Sequence, residues 1–162
     1  MRFALFLLAM TATALAGGGH DNCGCDTCTL DTDFLWPPNH KLVNVGLHVT
    51  SPDATITVYS DEDDVWPASA QFSPDAKVNC QNLRLRSERG GTDDGRVYLI
   101  IVSVGSEPIC VLTVVVPHDL SAASIASVQA QADAAHDFFV ANGTPPPGYF
   151  LVGDGPVIGP KQ

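Results

Sequence analysis

The segment Arg96-Val97-Tyr98-Leu99-Ile100-Ile101-Val102-Ser103-Val104, followed after a short link by Ile109-Cys110-Val111-Leu112-Thr113-Val114-Val115-Val116, decides the fold class of this chain. Both runs are almost continuous in β-branched and other apolar residues, the composition of strands covered on both faces. The link Gly105-Ser106-Glu107-Pro108 has turn chemistry, and Pro117 closes the second run because its nitrogen cannot donate to a ladder. Two such strands joined so tightly predict an antiparallel hairpin at the centre of a sheet.

Toward the N-terminus the pattern changes from continuous to alternating. Leu83 and Leu85 alternate with Arg84 and Arg86, and Arg89-Gly90-Gly91-Thr92-Asp93-Asp94-Gly95 marks the turn into the central hairpin. Val43, Val45, Leu47 and Val49 fall on alternate positions, which reads as one half-buried strand, and Thr55-Ile56-Thr57-Val58-Tyr59 repeats the pattern. With weaker strands between Pro67 and Asn79, residues 34–119 read as an all-β antiparallel sandwich. Beyond it, Asp119 or Ser121 can cap a helix over 120–142 whose apolar face is Ile125, Val128, Ala132, Ala135 and Phe139. Asn142-Gly143 and Pro145-Pro146-Pro147 stop this amphipathic helix, which is expected to pack on the sandwich or on a partner. Residues 143–162 are rich in Pro and Gly and read as an extended, flexible tail.

The ends speak of compartment. Arg2, the apolar stretch Phe3 to Met10 and the small-x-small pattern Ala14-Leu15-Ala16 have the layout of a signal peptide over residues 1–16. The expected location is therefore secreted, extracellular or at the cell surface. The chain has 162 residues with 8 Lys+Arg against 18 Asp+Glu, a net charge of −10, which argues against nucleic acid or an anionic membrane as partner. No other apolar stretch is long enough to span a bilayer, so no integral membrane span is expected once the signal is removed.

Five cysteines in an exported chain are read first as disulfide formers. Residues 17–33 form a Cys-rich leader expected to be loop or poorly ordered. A local bridge Cys23–Cys28 and a staple Cys80–Cys110 are expected, the second only if a bulge turns Cys80 inward. The odd thiol is then left for a disulfide-linked dimer. The alternative for Cys23-x-Cys25-x-x-Cys28 is zinc, with His20 and Asp21 or Asp26 completing the ligands. Asp61, Glu62, Asp63 and Asp64, with Asp93 and Asp94 from another loop, are candidate calcium ligands; the plainer reading is a solvated acidic loop. Trp36 and Trp66 are candidate platforms for stacking on a sugar, Trp36 being otherwise a plug at the end of the sandwich. Arg84, Arg86, Arg89 and Arg96, near Glu88, Asp93 and Asp94, read as a solvent face of opposite charges. No nucleophile elbow, zinc-protease helix or phosphate loop is present, no residue is singled out as catalytic, and no cofactor beyond calcium or zinc is suggested.

Three segments in order, Trp36-Pro37-Pro38-Asn39-His40-Lys41, Gly91-Thr92-Asp93-Asp94-Gly95-Arg96-Val97-Tyr98 and Val116-Pro117-His118-Asp119, carry a family resemblance. The chain resembles the bacterial extracellular Ig-like or fibronectin-III-like β-sandwich modules with the pattern WPPNHK…GTGDGRVY…VPHD, over about residues 34–119. The resemblance implies an Ig-like fold and an accessory or adhesive role without catalysis. The expected function is a non-enzymatic secreted or surface module binding an extracellular protein or glycan. The alternative is a secreted metal-binding protein using the Cys-rich leader or the acidic loops.

Overall fold

The structure is a computed structural model and describes residues 27–64, 72–80 and 82–153. The long apolar runs are the paired strands β7 (Gly95–Val104) and β8 (Glu107–Pro117). With β4 (Ala54–Ser60) and β9 (Phe150–Leu151) they make a four-stranded sheet in the order β8-β7-β4-β9. A three-stranded sheet has the order β2-β6-β5, from β2 (Leu42–Asn44), β6 (Asn82–Arg86) and β5 (Ala76–Asn79). A third, two-stranded sheet pairs β1 (Cys28–Thr29) with β3 (His48–Val49). Every strand pair in these sheets is antiparallel.

Leu83 and Leu85 of β6, Val58 of β4, Tyr98, Ile100 and Val102 of β7, and Val114 and Val116 of β8 share one buried cluster. The other face of β7 and β8 is covered by helix α1 (Ala122–Asn142). Val97 and Val115 pack against Val128, Ala132 and Ala135, while Leu99 and Ile101 pack against Phe139. This explains why β7 does not alternate: both sides of it meet apolar matter. Each fully buried Val, Leu or Ile contributes about 1.5–3 kcal/mol, so two covered faces make this hairpin the centre of stability.

The caps of α1 follow from its sequence. Ser121 is the N-cap and its Oγ accepts from the Ser124 N–H at 3.2 Å; Gly143, left-handed at φ 69°, donates its N–H to the Phe139 carbonyl at 2.7 Å. The buried stripe is Val128, Ala132, Ala135 and Phe139, but the opposite face is largely alanine, so the helix is only weakly amphipathic. Gly95, at φ 124°, lies where the helix comes closest: a Cβ there would sit 2.9 Å from Val128 Cγ2 and 3.0 Å from the Val116 carbonyl. Among the described residues no helix is long and apolar enough to cross a membrane.

Three expectations are corrected. Residues 43–49 are not one strand. Gly46, at φ 62°, redirects the chain beside Asp31, so that β2 pairs with β6 while β3 pairs with β1. The leader is not loop throughout, because Cys28–Thr29 is β1 and Leu30 packs against the core. The tail likewise supplies β9, whose residues Phe150 and Leu151 pair with Ser60 and Tyr59. Two-residue strands are made by backbone pairing to distant partners and carry no periodicity to read. Residues 1–16, His20, Asp21, Cys23, Cys25, Asp26 and Trp66 lie outside the described residues.

Candidate functional site

The arginines do not form a solvent face. Arg84 is exposed, but Arg86, at the end of β6, and Arg96, near the start of β7, are buried. Asp75 bridges them, accepting from Arg86 Nε at 3.1 Å and Arg96 Nη1 at 2.6 Å. Arg96 also donates through Nη2 and Nε to Glu62 Oε2 at 2.7 and 3.1 Å, and through Nη1 to the Tyr98 hydroxyl at 2.9 Å. That hydroxyl donates in turn to the Arg86 carbonyl at 2.8 Å. Buried ions persist only when paired and hydrogen-bonded, and here the partners are supplied from residues 62, 75, 86, 96 and 98. Burial pushes the Asp75 carboxyl up to about 7, although Arg96 pulls the other way. Burial works against the charge on Arg96, but Tyr98, Asp75 and Glu62 outweigh it and keep the guanidinium protonated. Burial also holds the Tyr98 phenol far above its ordinary range.

The same network fastens the acidic loop after β4. Asp61 Oδ1 accepts from the Val97 N–H at 2.9 Å, and Glu62 Oε1 accepts from the Gly90 N–H at 2.8 Å. Asp64 accepts from the Asp75 and Gly153 N–H groups at 2.7 and 2.8 Å. Opposite lies the β6–β7 turn, where Asp94 Oδ2 accepts from Gln131 Nε2 of α1 at 2.9 Å. Between the two loops opens a cleft of about 790 Å³, lined by Asp61, Glu62, Asp63, Asp93, Asp94, Gln131, the glycine-rich turn and the exposed ring of Phe150.

Five of the six carboxylates read as calcium ligands thus line one cleft; Asp64 does not. They are not gathered into one coordination sphere. Among the described residues no group of three or more His, Cys, Asp or Glu side chains is placed to hold a metal ion. Asp61 and Glu62 already spend an oxygen on backbone N–H groups, and Glu62 spends the other on Arg96. Burial pushes Asp61 up to about 6, with the Val97 N–H and Arg96 pulling down and Glu62 pushing up. Tyr149, nearby in the tail, is raised by burial and then by Asp61.

The disulfide expectations are overturned. Cys110 pairs with Cys28, with Cα atoms 6.2 Å apart, and Cys80 is a free, exposed thiol. Cys110 packs against the inner cluster with Leu112, as its parity required, and β1 arrives beside it. Cys80 sits in the turn between β5 and β6 at φ 53°, with no bulge to carry it inward. Cys28 is therefore unavailable both to Cys23 and to a zinc site with Cys23 and Cys25. Closing a loop of 82 residues contributes about 4.5 kcal/mol in the chain-entropy model.

Trp36 is 40% exposed and does not line the cleft, while its neighbour Leu35 is the residue that plugs the core. Its loop is held by Ser87 Oγ donating to the Pro37 carbonyl at 2.7 Å and by His40 Nδ1 at 2.6 Å from Glu88 Oε2, with the imidazole stacked on Phe72. The residues that sequence reasoning missed are Asp75, Gln131 and Phe150. None belongs to a motif, and only the approach of four separate segments gives them a role. Searches against protein-family models, curated proteins and solved structures find no match to this chain.

Proposed function

We propose that this chain is an exported, non-enzymatic binding module of Ig-like sandwich type, secreted or held at the cell surface, which engages a glycan through the cleft between its acidic loops. The observation that carries the reading is the lining of that cleft. Carboxylates of Asp93 and Asp94 offer acceptors for sugar hydroxyls, and Phe150, 45% exposed, offers a stacking face. Three- and four-stranded antiparallel sheets sharing one core support the Ig-like assignment. The Cys28–Cys110 bridge supports export, since such bonds persist in oxidising compartments. An accessory or adhesive role follows from a surface that binds while its buried carboxylates are committed to holding the fold.

A glycan array probed with the mature chain tests this. Binding that is lost in Phe150→Ala and in Asp93→Asn/Asp94→Asn supports the cleft. No binding above background, or binding indifferent to both variants, removes it, and a protein captured by the same surface in pull-downs would replace the glycan as ligand class.

A further inference from the structure

Glu88 is the buried carboxyl that the arginine network leaves aside. It is 1% exposed, and no guanidinium among the described residues hydrogen-bonds it. Its Oε2 lies 2.6 Å from His40 Nδ1, and its Oε1 has no hydrogen-bond partner among the described residues. A carboxylate so placed is stable only beside a counter-charge. After burial and Arg96, its charge bears on the Asp75 carboxyl and the Tyr98 phenol, so Glu88 lies within electrical reach of that cluster. The cluster is short of positive charge, for Arg86 and Arg96 face Glu62, Asp64, Asp75 and Glu88. Asp64 is met by two backbone N–H groups, whereas among the described side chains Glu88 is met by His40 alone.

His40 is held through its backbone and its ring. Its N–H donates to the Ser87 carbonyl at 2.9 Å, its carbonyl accepts from Arg86 Nη1 at 2.6 Å, and the imidazole stacks on Phe72. These contacts fix a left-handed residue, at φ 63°, a conformation that persists only where the surroundings over-determine it. Nε2 has no hydrogen-bond partner among the described residues, and the side chain is 42% exposed. The other charged groups near it are Lys41, next in the chain, Arg86 at its carbonyl and Asp75 beyond Arg86. Phe72 and residues 65–71 before it bring no titratable side chain.

We propose that the His40–Glu88 pair is a proton-operated latch on the loop 36–41: an ion pair that holds the loop down while the imidazole is protonated and releases it when the proton is lost. The proton leaves from Nε2 to solvent, and Nδ1 keeps its hydrogen toward Glu88. What disappears is the counter-charge of a carboxylate shut away from water, and with it the anchor of the strained turn. Imidazole is the side chain whose charge ordinarily changes between about pH 5 and 8, so the latch opens as pH rises. Ser87 ties the same loop at the Pro37 carbonyl, so opening moves Trp36, whose exposed side chain does not line the acidic cleft.

In the full chain, the His40 ring, the Trp36 indole N–H and the Lys41 amide are followed by NMR from about pH 5 to 9. The expected result is one midpoint common to all three. In Glu88→Gln the proton affinity of His40 is expected to fall by more than about threefold. In His40→Asn, which also accepts left-handed backbone, the midpoint at Trp36 and Lys41 is expected to vanish. A His40 ring that does not titrate, or whose affinity Glu88→Gln leaves within that margin, overturns the proposal. So does a Trp36 or Lys41 signal that ignores His40, or that still titrates in His40→Asn. No ligand enters the test, so the result on a glycan array decides the cleft and not the latch.

Discussion

The two sides of the acidic loop use the same chemistry in opposite ways. Inward, Glu62, Asp64 and Asp75 are tied to Arg86, Arg96 and backbone N–H groups, and Asp64, Asp75 and both guanidiniums are almost fully excluded from water. Outward, Asp93 and Asp94 remain exposed, and Asp63 stands half-exposed at the cleft. A carboxylate inside is a structural part, because losing its partner strands a charge in a poor dielectric. The same group at the rim, as in Asp93 and Asp94, can meet a ligand, because water screens it until something displaces the water. The difference teaches that acidic runs cannot be assigned a role from composition alone.

Breaking the inner side should have the largest effect. Arg96→Met leaves the buried Asp75 and the largely shielded Glu62 without their main cation, and a loss of about 3–5 kcal/mol is expected in urea unfolding. A loss below about 1 kcal/mol would mean that the network is not what holds the loop. The cystine lies on neither side and separates general loosening from loss of the network. Cys28→Ala is expected to cost about 2–4 kcal/mol while leaving the stability difference between wild type and Arg96→Met nearly unchanged in the double variant.

Acidity sharpens the comparison next. Asp61 and Asp75 have folded values of about 6 and about 7 against 3.8 for the ordinary group, so the folded chain binds protons more readily than the unfolded one. Their contribution to stability is complete below the unfolded value and is lost as pH rises through 6 and 7. Thermal melts should therefore show stability falling from pH 5 to pH 8, by a few kcal/mol, and Asp61→Asn should flatten the lower part of that decline. A rise over the same interval would contradict the burial argument. The smallest stability effect belongs to the rim: Asp93→Asn/Asp94→Asn should stay within about 0.5 kcal/mol of wild type in denaturant, while abolishing the array signal.

Much of the scaffold was legible because its signals are local. The double run 96–104 and 109–116, the alternation at Leu83 and Leu85, and the helix with Ser121 and Gly143 at its ends each follow from neighbours a few residues apart. The exceptions had physical causes. Gly46 hid a change of sheet inside an apparently regular alternation, and β1 and β9 were too short to show a period. At the site, the acidic residues were recognised as a group, but their division into buried and exposed sets was not, since parity along β6 could not foresee that Arg86 turns inward to Asp75.

By itself, then, the order of residues determined which segments extend, which one coils and where the turns fall, because torsional preference and apolar spacing act over a few bonds. Only the tertiary structure decided that Cys110 meets Cys28 rather than Cys80, that Arg96 is buried against Glu62 and Asp75, and that Phe150 closes a cleft with Asp93 and Asp94. Those pairings join segments tens of residues apart. They depend on how the sheets and the helix come to rest against one another, for which no local pattern is a guide.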